Sequence, residues 1–136
     1  MTKSRIGIAL LTFLPVFAGV VETSACVGHW LAIDWEPHAI FHTLMGLSGL
    51  LAAWVLILVL TWIPLRRGER WAWFAIAAAV LVIYGGMLLS DHVTGGGLRN
   101  YAVVLGSGST VYAGITVAMV LYAVGLALTW PGARKT

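Results

Sequence analysis

Charge is scarce in this chain: 10% of its 136 residues are Asp, Glu, Lys or Arg, against about 25% in an ordinary soluble domain. Acids are the scarcest, five in all. So little polar surface excludes a water-soluble globule. There is one cysteine, Cys26, which excludes an internal disulfide and any multi-cysteine metal site. No glycine fingerprint for a dinucleotide follows a strand, and there is no phosphate loop or nucleophile elbow. The chain is too short for a transporter built from large inverted repeats. A small oligomeric channel or exporter would want an acid at the centre of a span, and Glu22 and Asp91 fall near span ends.

What is abundant is apolar: 60% of residues are hydrophobic and the mean hydropathy is +0.94. Four apolar runs of roughly 20 residues, the length that crosses a bilayer, cover about 6–27, 37–63, 71–90 and 111–130. The expected fold is all-α: one domain over residues 1–136, an integral membrane four-helix bundle. The second run is the longest and has clean ends. Asp34 or Glu36 can cap it, Pro37 suits its first turn and Pro64 is expected to stop it. The first thirty residues imitate a signal peptide, with Lys3 and Arg5, an apolar run, then Thr23-Ser24-Ala25-Cys26. We read them as an uncleaved first helix.

Polar residues are sorted by side. Lys3, Arg5, Arg66, Arg67, Arg70, Arg134 and Lys135 collect at one end of the expected bundle. Cytoplasmic loops hold an excess of Lys and Arg, so both termini are expected in the cytoplasm, the chain being multi-pass in a bacterial-type inner membrane. These short basic flanks account for the pI of 9.4; they are topology signals and contacts for anionic lipid, not a nucleic-acid surface. Trp30, Trp35, Trp62, Trp71, Trp73 and Trp130 lie at span boundaries, where interfacial belts form. The opposite end gathers all four histidines, His29, His38, His42 and His92, with Glu22, Asp34, Glu36 and Asp91. A long glycine-rich connection, Asp91 to Thr110, lies on that side too, and a loop of such length is more often functional than not.

His38 and His42 are four apart and share a helix face. His42 sits five residues past Pro37, about one and a half turns into the helix, and a histidine inside a span is a functional candidate by default. Its face continues as Gly46, Gly49 and Ala53. An imidazole followed by bare backbone suits a flat macrocycle such as haem; the same strip equally lets two membrane helices pack closely. Gly85-Gly86 in the third span leaves the same choice. His38, His92 and the nearby carboxylates are ordinary headgroup-zone residues, a second ligand or proton donor, or a non-haem metal site. No tight ligand motif marks the last of these.

Residues Glu36 to Gly108, about half the chain, carry Glu36, His42 with Gly49 seven residues later, Gly85, Ser90, Gly97-Leu98, Gly106 and Gly108 in one gapless register. In that register the chain resembles styrene oxide isomerase, a small four-helix membrane enzyme family. The resemblance implies haem b held by His42 as the axial iron ligand, with Gly46 and Gly49 beside the porphyrin. It also implies a homotrimer with haem at the subunit interfaces. The implied reaction is isomerisation of an epoxide to a carbonyl compound, ferric iron acting as Lewis acid on a small apolar substrate that arrives from membrane lipid. The chain departs from the family where polar residues line the substrate pocket: Ser48 stands for Asn, Met87 for Tyr and Ala79 for Asp. Ser48, Tyr84 and Asp91 are then the candidates to orient substrate, and Met87 or His38 is a candidate second ligand. Two other readings stay open: a non-catalytic haem protein for electron transfer, sensing or haem handling, and a structural membrane subunit without cofactor.

Overall fold

The computed structural model describes residues 3–32, 37–95 and 108–130, with side chains over 3–27, 40–95 and 111–130. Among the described residues the chain is all-helical, with no strand. Helix α1 spans Lys3–Ala32, α2 Pro37–Leu60, α3 Arg70–Val93 and α4 Gly108–Leu128. Each of the four is long and apolar enough to cross a membrane. Large apolar side chains point outward on all of them, among them Phe13, Phe17, Val55, Leu81, Val82 and Val120.

Two boundaries differ from the sequence expectation. The longest helix is α1, at 30 residues, with Pro15 inside it. Pro64 also does not stop the second span: the chain continues past Leu60 through a π turn, Thr61–Leu65, that contains the proline. Proline lacks an N–H and clashes with the carbonyl one turn back; widening the helix by one residue makes room for it. The descent into α3 then turns at Gly68, whose φ of 85° suits glycine. Its N–H donates to the Leu65 carbonyl (2.9 Å) and that of Glu69 to Pro64 (3.0 Å). Asp34 and Glu36, the expected caps of α2, lie outside the described residues.

The helices form a ring in which α1 packs chiefly on α4 and α2, while α3 touches α2 and α4 more lightly. The dense part of the core lies toward the basic end, where Leu11, Leu14, Ile57, Leu60, Leu65, Ala72, Ile76 and Leu126 meet. Between apolar helices in hydrocarbon, cohesion comes from van der Waals contact and interhelical hydrogen bonds rather than from expelling water. Both are present. A Cβ on Gly7 would lie 2.6 Å from the Thr129 methyl and 2.9 Å from the Gly125 carbonyl oxygen, so α1 and α4 approach through glycine. Trp62 donates from Nε1 to Thr12 Oγ1 (2.9 Å), and Trp73 from Nε1 to the Leu126 carbonyl (2.7 Å). Trp73 also meets Trp130 edge-on at 4.7 Å, and Arg66 lies 4.7 Å over the Trp62 ring. Tryptophans expected as an interfacial belt thus also tie helix to helix.

Candidate functional site

Toward the opposite end the four helices part and leave a cleft of about 910 Å³, within the range of small-molecule sites. Its walls come from every helix: Glu22 and Ala25 of α1, Thr43, Gly46, Gly49 and Ala53 of α2, Gly114 and Ala118 of α4, and from α3 Tyr84, Gly86, Met87, Ser90 and Asp91. The sequence opens this space by placing small residues at helical spacing on facing surfaces. Among the described residues, a Cβ added at Gly46, Gly49, Gly85, Gly86 or Gly114 would meet nothing within 4 Å. Among the described residues, then, the glycine strip of α2 does not serve close helix packing; it borders open space.

The cleft closes toward the core on an aromatic cluster. The Trp54 ring lies parallel to Tyr122 at 6.2 Å and tilted to Tyr84 at 6.0 Å; Tyr84 and Tyr122 are themselves 6.0 Å apart. Trp54 Nε1 donates to Glu22 Oε2 (2.8 Å), joining α2 to α1. Tyr122 is fully buried and among the described residues its hydroxyl has no hydrogen-bond partner, an uncommon condition for a buried polar atom. At the outer end the Tyr112 hydroxyl donates to Asp91 Oδ2, which links α4 to the last turns of α3. Thr94 Oγ1 donates to the Ser90 carbonyl (2.8 Å). Polar groups therefore stand at both ends of a cleft whose middle is apolar.

Of the residues singled out from sequence, Gly46, Gly49, Tyr84, Met87 and Asp91 all line this one cleft. His42 is exposed, with its ring edge-on to Phe41 at 5.7 Å. It does not line the cleft but stands one turn outward of Gly46 on the same helix face. Ser48 is exposed and off the cleft wall; one residue before Gly49, it is rotated by about 100° on a helix of 3.6 residues per turn. Ala79 packs against the core. The side chains of His29 and His38, like Asp34 and Glu36, lie outside the described residues, as do Gly97, Leu98, Gly106, Arg134 and Lys135. His92 is exposed near the end of α3. Among the described residues no three His, Cys, Asp or Glu side chains come together to hold a metal ion.

Sequence reasoning missed the depth of Glu22. It pairs with Trp54, which lies near the middle of the apolar stretch Ile40–Leu65, so its carboxylate reaches well inside the bundle. A lone acid in an apolar helix with a tryptophan on the next one was the available signal, but a separation of 32 residues hides the pairing.

No family model matches this chain, and neither does any curated protein or solved structure.

Proposed function

We propose that this chain is a membrane haem b protein resembling styrene oxide isomerase, with His42 as the axial ligand and the four-helix cleft as the seat of a small apolar substrate. One observation carries the reading: an exposed imidazole is followed along the same face of α2 by two glycines with open space where side chains would be. A planar macrocycle needs that arrangement, a reachable nitrogen with bare backbone beside it, and the residues present fit it. When bound, ferric haem supplies a Lewis acid for the oxygen of an epoxide, with no net redox change.

The chain's own residues do the rest. The cleft walls hold an apolar substrate away from water, so polar groups inside act with little screening. Tyr84 at the inner end of the cleft and the Asp91–Tyr112 pair at the outer end are the groups available to orient a polar atom of the substrate, each at its own end. Ser48, turned away, takes no part within its own subunit. Outward-facing Phe, Leu and Val side chains on all four helices support residence in lipid. The basic α1 start and α2–α3 turn support cytoplasmic termini and an inner-membrane location. Exposed Phe41, Leu44 and Met45 around His42 support an apolar interface there, as a homotrimer with haem between subunits requires.

The test is an absorption spectrum of the detergent-purified protein, oxidised and then reduced, with haem quantified against protein. The expected result is a Soret band that disappears in His42→Ala while the protein still assembles. Absence of the band, even with haem supplied during expression, would refute the proposal and leave a structural subunit. A second reading, a non-catalytic haem protein, draws on Met87, whose side chain lines the same cleft and is a potential iron ligand. A low-spin spectrum that becomes high-spin in Met87→Leu would favour it; a high-spin spectrum in the wild type favours catalysis.

A further inference from the structure

On the outside of the bundle α1 and α2 leave a groove of about 530 Å³. It is lined by Val16, Gly19 and Thr23 of α1 and by Leu51, Val55 and Leu58 of α2. These positions recur at three and four, so each helix gives one face. Leu51 and Val55 stand about half a turn round α2 from Gly49 and Ala53, so the groove is on the side away from the cleft. A Cβ on Gly19 would lie 3.4 Å from the Leu51 side chain, which shows how close the two helices come there. Both faces continue toward the basic end. Thr12 is four residues before Val16 and Trp62 four after Leu58, and Trp62 Nε1 donates to Thr12 Oγ1 across the gap (2.9 Å). Arg66 lies 4.7 Å over that indole. It is exposed, as are Lys3, Arg5, Arg67 and Arg70 at the same end, and the described residues there include one acid, Glu69.

We propose that this groove binds one anionic phospholipid, its phosphate on Arg66 beside the Trp62 ring and an acyl chain laid along the groove toward Leu51. Length favours a lipid over a second copy of the chain. From Leu51 to Trp62 is eleven residues, about 16 Å along a helix, half the roughly 30 Å of a bilayer core. Ser48 and Leu44, the next positions on that face of α2, do not line the groove. It thus has the reach of one leaflet, whereas a neighbouring helix would run on past Leu51. Charge favours an anionic lipid over a zwitterionic one: a guanidinium pairs with phosphate, and the other bases of this end attract net negative charge and repel a choline. The site rests on residence in lipid and owes nothing to haem or to His42.

The experiment uses full-length protein in detergent with equal amounts of phosphatidylglycerol and phosphatidylcholine carrying the same acyl chains, and native mass spectrometry to count the lipids retained. Phosphatidylglycerol should be retained in preference. Arg66→Gln should cut that preference by about fivefold, the effect of one base near an anionic headgroup. Val55→Trp places a bulky ring in the groove from an exposed position and should largely abolish retention of phosphatidylglycerol; it also decides the matter should Arg66→Gln fail to fold. Equal retention of the two lipids, or unchanged retention in the folded variants, overturns the proposal. So does an oligomer that Val55→Trp dissociates, which would give the groove to a second copy. A chain that stays soluble without detergent would overturn residence in lipid itself, and this site with it.

Discussion

The two ends of this bundle are built from the same residue types and behave oppositely. At the basic end Gly7 and Gly125 sit where α1 and α4 nearly touch: the atoms around Gly7 leave no room for a methyl group, and one at Gly125 would lie 3.1 Å from the Leu11 side chain. At the other end Gly46, Gly49, Gly86 and Gly114 face open space. The former glycines bring helices together, while the latter keep a cavity clear. Tryptophan divides in the same way. Trp62 and Trp73 tie helices at the closed end through Thr12 and the Leu126 carbonyl, and Trp54 holds a carboxylate at the floor of the open one. Cohesion is thus concentrated at one end, and the other is left open.

The comparison breaks most visibly at Gly7. Valine there would drive its Cβ into the Thr129 methyl and the Gly125 carbonyl oxygen, and backbone cannot step aside cheaply. Overpacking of this kind costs up to about 3 kcal/mol. The thermal midpoint in detergent should fall sharply, and an unchanged midpoint would mean that α1 and α4 do not meet so closely.

Next in size is Trp54→Phe, which removes the indole donor from Glu22 and shrinks the ring between Tyr84 and Tyr122. A loss of about 2 kcal/mol is expected, mostly from leaving a carboxylate oxygen without its partner. Denaturant titration of the variant alone and combined with Glu22→Gln separates the two contributions: the double variant should recover part of the loss. Additive losses would show that Glu22 and Trp54 are not coupled.

Gly49→Ala should act in the contrary direction on stability. The new methyl meets nothing within 4 Å, and alanine is the better helix former by roughly 0.8 kcal/mol, so the midpoint should hold or rise slightly. The pigment is expected to suffer instead, because the methyl occupies the face on which the porphyrin would lie. A stable variant with a weakened or shifted Soret band supports the open-face reading. A destabilised one would mean that Gly49 packs against something, as it would at a subunit interface without haem.

How much of this was legible in the sequence depends on the range of the interaction. The helices were, because an apolar run of span length is a local property and Pro37 and the basic turn punctuate it. The exit from α2 was misjudged, since a proline signals a stop but not the π turn that carries the chain past it. The face of His42, Gly46 and Gly49 followed from helical spacing. Whether those glycines approach a neighbour or border a void did not, because that depends on where α3 and α4 come to rest. Glu22 was read as lying near a span end; its bond to Trp54 joins different helices and leaves no local mark. Gly7 and Gly125 went unnoticed for the same reason: nothing in either segment distinguishes a glycine in contact from one in the open.

The smallest effect expected is at Tyr122, and it tests the boundary between the two ends. Its ring is fully buried against Trp54 and Tyr84, yet its hydroxyl has no partner among the described residues. A buried hydroxyl without a hydrogen bond costs more than it contributes, so removing it should do no harm. Tyr122→Phe keeps the ring packing and should leave the stability unchanged or raise it by up to about 1 kcal/mol, read as a level or slightly higher thermal midpoint. A clear fall would show that the hydroxyl has a partner in the folded protein, a water or ligand atom reaching it from the cleft. The polar zone beside Glu22 would then extend one helix deeper, onto α4, and the closed end would begin below Tyr122 rather than at it.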